Sequence, residues 1–399
     1  MDAEVRAPAT DEEWRDCYRL LARSFNLPLT VEKEDEFLGR VHRDRTLAAF
    51  VDGEVAATAQ VRPFGQFFGG RSVPMGGYSP VGTAPEHRGL GLASAVTAAH
   101  FPRLRERGEV VAGLYPSSTQ LYRNVGFELG GAFINRRVPA RSLHHLKRAP
   151  GIRARRARPD DLPAVKRCYR RYAATQQGWL DRPEVWWERV LDPQRGGDQH
   201  IYVVDGEGGE VQGYVRWRQV ADPGRQWGYN VEVQELCFDA TEVMLVLWRL
   251  VGTSSTQAEY VQSVAPAEHH LLLLLPDQDL KTSEEIRWMT RIVDAPGAVA
   301  ARGFPAGVEV GVDLEITDGH CDWNNGCWRL SVAGGTGALE PGGSGAVSID
   351  INGLAALYTG YASARMLRQT GLITTGSADE LAALSTAFAS AVPWCADFY

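Results

Sequence analysis

The sequence predicts an α/β (α+β) chain in three units: two mixed α/β halves of one pattern, then a smaller α+β domain. Three observations predict it. A weak internal repeat links VRAPATDEEWRDCYRLLARSF, from Val5, to IRARRARPDDLPAVKRCYRRYA, from Ile152, and an offset of 151 superposes Pro8 on Pro159 and Cys17-Tyr18-Arg19 on Cys168-Tyr169-Arg170. Each copy then alternates strand-like and helix-like runs. From about Ala295 glycines cluster, and strand-like runs give way to helical ones. These shifts divide the 399 residues at 1–150, 151–292 and 293–399, sizes that suit separate cores.

Each repeat opens on a short β-like stretch and an acidic pair, which suits a helix N-terminus, with arginines in the later turns. TLAAFVDGEVAATAQVRPF reads as a hairpin turning at Asp52-Gly53. GGYSPVGTAPEHRGLGLASAVTAAHFPRLRERG passes from strand through loop to helix. VVAGLYP is a short strand, SSTQLYRNV a short helix, and GFELGGAFINRRV further strands. In the second copy IYVVDGEGGEVQGYVRWRQV is a hairpin, Tyr229 to Asp239 a strand, EVMLVLWRLVGT a helix and HHLLLLLPD a buried strand flanked by His269 and His270. In the third unit VEVGVDLEIT, CWRLSVA and GAVSIDI read as strands and LSVAGGTGALEPGG as a mobile loop. INGLAALYTGYASARMLRQTG reads as one helix stopped by Gly371, and SADELAALSTAFAS as a second, opened by a Ser377–Glu380 capping box.

Composition narrows the function. No apolar run is long enough to span a bilayer, and the acidic start MDAEVRAPATDEEW lacks the apolar core of a signal peptide, so a cytoplasmic protein is expected. Six scattered cysteines fit buried thiols in a reducing compartment. HCDWNNGC (His320 to Cys327) lacks the second ligand pair a zinc site needs, and no metal is expected. A net charge of −7 argues against nucleic acid and would draw in a small cation, although solubility alone accounts for it.

The stretch that carries chemistry is YSPVGTAPEHRGLGLASA, Tyr78 to Ala95. A strand leads into Arg88-Gly89-Leu90-Gly91-Leu92-Ala93, which opens a helix. Glycines there let the backbone approach a ligand, and the free N–H groups of a helix start favour an anion such as a pyrophosphate. Neither the Walker pattern nor the dinucleotide glycine pattern is present.

Arg-x-x-Gly-x-Ala after a strand, followed by Leu-Tyr-x-x-x-Gly-Phe from Leu121 to Phe127, resembles the GNAT acyltransferase family. With a second copy lacking the glycine motif, a sterol-carrier-protein-like third unit and an aromatic final residue, the whole chain resembles the enhanced-intracellular-survival type of aminoglycoside N-acetyltransferase. The resemblance implies tandem GNAT folds, each a mixed central sheet flanked by helices, plus a C-terminal sterol-carrier-like α+β domain. It implies acetyl-coenzyme A as donor, a small cationic amine as acceptor, and a homo-oligomer, by analogy a hexamer. Val81 and Thr83 would lie along the pantetheine, and Arg88, Gly89, Gly91, Leu92 and Ala93 would hold the pyrophosphate. Tyr122 would protonate the departing thiolate. The α-carboxylate of Tyr399 would act as general base, with Phe398 packed to aim it, and Ser79 and Pro80 would stand at the substrate.

Plainer roles exist for the same residues: Tyr122 as a core aromatic, and the tail WCADFY as a domain or oligomer anchor. Pro80 departs from the family pattern. It lacks the N–H expected of an interior strand, and an oxyanion donor is worth about 3 kcal/mol. Either Val81 serves instead, or the transferred group is a formimidoyl or other one-carbon unit. Asn26-Leu27-Pro28 replaces an acidic residue of the related group, leaving Glu34, Asp35 and Glu36 as acids near an acceptor or as a solvated helix face. A non-catalytic ligand carrier is the remaining alternative.

Overall fold

The computed structural model describes residues 3–192, 199–222, 224 and 227–399; Met1 and Asp2 of the acidic start lie outside them. The first stretch contains β1 (Ala3–Arg6), α1 (Asp11–Phe25), α2 (Val31–Arg40), β2 (Thr46–Val51), β3 (Glu54–Phe68), β4 (Arg71–Thr83), α3 (Leu92–Ala98), α4 (Phe101–Glu106), β5 (Val111–Leu114), α5 (Thr119–Arg123) and β6 (Glu128–Pro139). The second contains β7 (Ala154–Arg156), α6 (Leu162–Ala174), β8 (Leu180–Asp181), α7 (Glu184–Leu191), β9 (Gln199–Asp205), β10 (Val211–Ala221), β11 (Tyr229–Phe238), α8 (Thr241–Gly252), β12 (Ala258–Val264), α9 (Leu271–Leu274) and β13 (Lys281–Ile292). The third contains α10 (Ala295–Ala301), β14 (Val310–Thr317), β15 (Gly326–Ala333), β16 (Thr336–Pro341), β17 (Val347–Asp350), α11 (Ile351–Thr359), α12 (Ala364–Thr370) and α13 (Ala378–Ala387).

Local chemistry sets many of the boundaries. Thr10 caps α1 by accepting from Glu13 N–H at 3.2 Å, and three acidic residues fill the first turn. Asp52 and Gly53 both take positive φ, 50° and 84°, the geometry a two-residue hairpin needs. The Ser377–Glu380 capping box forms as expected, and Gly371 closes α12 at φ 81°.

The two halves share one 13-stranded sheet ordered β1, β2, β3, β4, β5, β13, β6, β12, β11, β10, β9, β7, with β8 paired to β3. Thus β13, the last strand of the second stretch, lies between β5 and β6 of the first. β6 in turn borders β12, with Val138 opposite Val261. The third domain is a four-stranded sheet, β16, β15, β14, β17, covered by helices. It shares a core with the first half, running from Phe68 and Met75 through Trp288 to Leu314 and Leu354. At that junction Arg291, wholly buried, donates to both oxygens of Asp318 at 2.7 Å. HCDWNNGC wraps this pair: Asn324 donates to Asp318 at 2.9 Å, and Cys321 Sγ lies 3.3 Å from Arg291. All six cysteines are free thiols, and Cys327 alone is exposed.

Five expectations change. HHLLLLLPD contains the one-turn helix α9, with Leu273 91% exposed; both edges of β12 are taken by β11 and β6, so no edge is left for another strand. GFELGGAFINRRV supplies one continuous strand, β6, which β13 and β12 flank. INGLAALYTGYASARMLRQTG breaks into α11 and α12, because Gly360 turns left-handed at φ 82° and Ser363 caps a new start. LSVAGGTGALEPGG is the β15–β16 hairpin, turning on Gly334 and Gly335. Finally, Ser79 and Pro80, joined by a cis peptide bond, fall where the β3–β4 register shifts between Tyr78↔Val61 and Val81↔Ala59. They occupy a bulge, where a missing N–H costs no ladder bond.

Candidate active site

β4 and β5 run parallel and pair only as far as Gly77↔Gly113, while β4 continues to Thr83. Past that fork the β5-facing side of β4 has no strand partner, so its backbone polar groups are open to a ligand. A cleft of about 530 Å³ fills the fork. Val81 and Thr83 line it from β4, Arg88, Gly89, Gly91, Leu92 and Ala93 from the loop and start of α3, and Tyr122 from α5. Gly89 and Gly91 take φ of 81° and 76° with nothing within 4 Å of where a Cβ would stand. Backbone conformation, not crowding, therefore calls for glycine here. The loop and the start of α3 border the cleft, and its lining includes no carboxylate. That surface fits an anionic pyrophosphate.

Tyr122 is 6% exposed, and its ring meets Phe127 edge-on at 5.8 Å. Its hydroxyl makes no hydrogen bond to another described residue. Burial pushes its phenol up to about 12, so it is protonated at neutral pH.

The tail reaches the same fork from the other side. Tyr399 is buried, its ring packed on Phe64 at 5.3 Å and Tyr115 at 5.4 Å. A Cβ on Gly113 would stand 2.5 Å from its hydroxyl, and one on Gly77 3.2 Å from its ring. The glycine pair at the fork thus makes room for Tyr399, a signal present in the sequence as strand-interior glycines. Burial holds the Tyr399 phenol well above its ordinary value, so the phenol is not a base at neutral pH. Phe398 is half exposed and stacks on Tyr115 at 4.3 Å.

Asp397, which carries the one charged side chain of WCADFY, escaped sequence reasoning. It is buried and accepts from Trp186 Nε1 at 2.8 Å and Arg182 Nε at 3.0 Å, and its carbonyl accepts from Tyr115 at 2.7 Å. Upstream, Trp394 N–H donates to Gln177 and Cys395 N–H to Ala132. The tail is therefore clamped between both halves before Tyr399 enters the first.

A second cavity of about 470 Å³ lies beside Phe64, between the end of α2, β3 and α7. Arg62, Trp186 and Arg189 line it, and its charge is mixed: Arg40, Arg62 and Arg189 against Glu188 and Asp192. Trp186 and Arg189 also border a further cavity of about 440 Å³, which Phe398 lines. Ser79 and Pro80 line none of these three. Both are half-buried, the Ser79 carbonyl accepting from Arg62 at 3.3 Å. Glu34, Asp35 and Glu36 are also set apart. Glu34 pairs with Arg19 at 2.8 Å and Asp35 with Arg15 at 3.1 Å, which ties α2 to α1, and Glu36 pairs with Lys33 at 2.6 Å within α2. Among the described residues no helix is long and apolar enough to cross a membrane.

Comparison with known proteins agrees with this geometry. Residues 5–130 and 178–292 each match an acetyltransferase (GNAT) domain, and residues 295–396 a sterol carrier protein domain. The crystal structure of a GCN5-related N-acetyltransferase from Kribbella flavida is 31% identical, covers 100% of this chain and 98% of its own, and superposes with a TM-score of 0.88. One from Anabaena variabilis is 27% identical over 100% of both chains, with a TM-score of 0.91. N-acetyltransferase Eis of Mycobacterium tuberculosis is 27% identical over 96% of each chain. A chain with two GNAT halves, a glycine-lined cleft at the β4–β5 fork and a sterol-carrier domain whose tail packs at the base of that fork belongs to the GCN5-related N-acetyltransferase family, as an N-acetyltransferase of the Eis-like type.

Proposed function

We propose that this N-acetyltransferase takes its acetyl group from acetyl-coenzyme A held in the cleft of the first half. The acceptor is a primary amine of a small polar molecule held in the cavity beside Phe64. The observation that supports this most is the cleft in the β4–β5 fork, which the glycine loop and Tyr122 line while Tyr399 packs at Gly77 and Gly113, the last pair before the strands part. The donor supplies an activated thioester. Val81 and Thr83 hold its arm by backbone pairing, and Arg88, Gly89, Gly91, Leu92 and Ala93 hold its pyrophosphate through amides and one guanidinium. Amides of β4 past Gly77 receive the developing charge on the acyl oxygen. The bulge spares a ladder bond but leaves Pro80 without an N–H, so transfer of a one-carbon unit stays the alternative to acetyl transfer.

The amine must lose a proton to attack. In a chain that ends at Tyr399, the α-carboxylate, with an ordinary pKa near 3.5, is ionised and accepts that proton. The phenol of Tyr122, held protonated by burial, donates to the leaving sulfur. The mixed charge beside Arg62 and Arg189 favours an acceptor that carries polar or acidic groups along with its amine over a bare polycation. An aminoglycoside remains in the tested class, and a homo-oligomer, by analogy a hexamer, is the assembly we propose.

The test is thiol release from acetyl-coenzyme A across aminoglycosides, polyamines and zwitterionic amines, with product masses read in parallel. A gain of acetyl masses on one class identifies the acceptor. Binding of coenzyme A without thiol release on any amine would overturn the reading.

A further inference from the structure

The second half repeats the fork of the first. β11 and β12 run parallel and pair as far as Val233↔Ser263, yet β11 continues to Phe238. A cavity of about 430 Å³ opens between them. Thr175 and Gln176, at the end of α6, line it as Ser24 and Phe25, at the end of α1, line the donor cleft. The repeat offset of 151 carries one pair onto the other.

The chemistry of this fork differs from that of the donor cleft. Only Asp239 and Ala240 connect β11 to α8. No glycine loop is present there, and Asp239 stands at the helix start, bound to Arg171 at 2.7 Å, where its charge opposes a phosphate. The walls are aromatic: Trp179 meets Trp394 at 4.9 Å and Tyr172 at 5.3 Å, and Phe238 meets Tyr172 at 5.1 Å and His270 at 5.4 Å.

The two histidines are held neutral. Trp248 Nε1 donates to His270 Nε2 at 3.2 Å, and Leu271 N–H donates to His269 Nδ1 at 3.3 Å. Burial pushes His270 down to about 4 and His269 well below its ordinary value. The lining includes two glutamates and no lysine or arginine. Glu235 is committed to Arg182 at 2.5 Å and lies 3.5 Å from Arg216, whereas Glu268 is exposed at the rim.

We infer that this fork is a binding site for a small organic ammonium ion, held over aromatic faces with Glu268 at its rim. Indole and phenol faces attract a cation through their quadrupoles, and no positive side chain in the wall competes. Trp394 and Ala396 form part of the wall, so an occupant would lie against the tail that carries Tyr399. The site is separate from the amine acceptor cavity, and the inference does not rest on the acetyl-transfer reading.

The experiment titrates the full chain with benzyltrimethylammonium, which has no N–H to acetylate, by calorimetry. Glu268→Lys and, separately, Gln176→Lys place a cation in the fork from positions that are not buried. Val185→Trp fills the cavity beside Phe64 instead. Circular dichroism and coenzyme A binding check that each variant is folded. Saturable binding that falls roughly tenfold or more in the two fork variants and shifts less than about twofold in Val185→Trp is the expected result. Absence of saturable binding at millimolar probe, loss in Val185→Trp alone, or indifference to both fork substitutions would each overturn it.

Discussion

The two forks of the long sheet are built alike and furnished differently. In the first, Gly89 and Gly91 hold a loop open before α3, and Tyr122 stands eight residues past the end of β5 at Leu114. In the second, two residues join β11 to α8, and eight residues past the end of β12 at Val264 stands Leu272, which cannot give a proton. The strand geometry that splits a sheet to admit a ligand has been kept twice. The glycine loop and the tyrosine to which we assign phosphate recognition and thiolate protonation lie in the first half, and among the described residues the second fork has no counterpart of either. A forked sheet alone therefore says where a ligand sits and not which ligand.

The largest test of that contrast is Tyr122→Phe. Removing the phenolic proton is expected to slow turnover by about 10²–10⁴-fold with donor binding kept. Turnover within a few-fold of the parent would make Tyr122 a core aromatic and bring the two forks closer in function.

Next comes Asp397→Asn, which tests whether the second half holds the tail for the first. Asp397 and Arg182 are both buried, and weakening a buried pair from one side costs about 3 kcal/mol. Urea unfolding should show that loss, with a fall in turnover as Tyr399 loses its anchor. A loss under about 1 kcal/mol, the range of an exposed pair, would place the anchor elsewhere.

Acid titrates both halves. His100, wholly buried beside Tyr78 with Nε2 3.1 Å from the Ala59 carbonyl, is pushed down to about 4 by burial. It is neutral when folded at pH 5, while the unfolded chain takes up a proton below pH ~6.5. Stability therefore falls as pH drops from about 6.5 to 4 and levels off below, roughly 3 kcal/mol for this group. His270 adds a loss of the same sign from the second half. His100→Gln should flatten the first share of the slope, read as unfolding free energy against pH. An unchanged slope would leave the acid response to the second half.

The smallest effect belongs to the cradle. Gly91→Ala forces a Cβ into φ 76°, at a cost of about 1–2 kcal/mol, and should raise the KM for the donor and lower the unfolding temperature by a few degrees. The converse change in the second half, Ala240→Gly, should create no coenzyme A binding, because Asp239 still faces the helix start. Measurable binding in that variant would mean glycine alone separates the forks.

By itself the sequence determined the local signals of this protein. The repeat, the Asp52-Gly53 turn, the caps of α1, α12 and α13, and the glycine loop with Tyr122 are all local. Each depends on residues a few positions apart, whose backbone preferences survive in any fold. Only the tertiary structure decided what depends on distant partners. It placed β13 inside the first half's sheet and left the leucines after His270 without an edge to pair with. It set Pro80 in a bulge through the register of β3, bound Asp397 to Arg182 from 215 positions away, and opened a second, aromatic fork. Strand pairing and buried charge are chosen by neighbours that the linear pattern does not name. For that reason the cradle was legible as a motif, whereas the clamp on the tail and the second fork were visible only once the chain had folded.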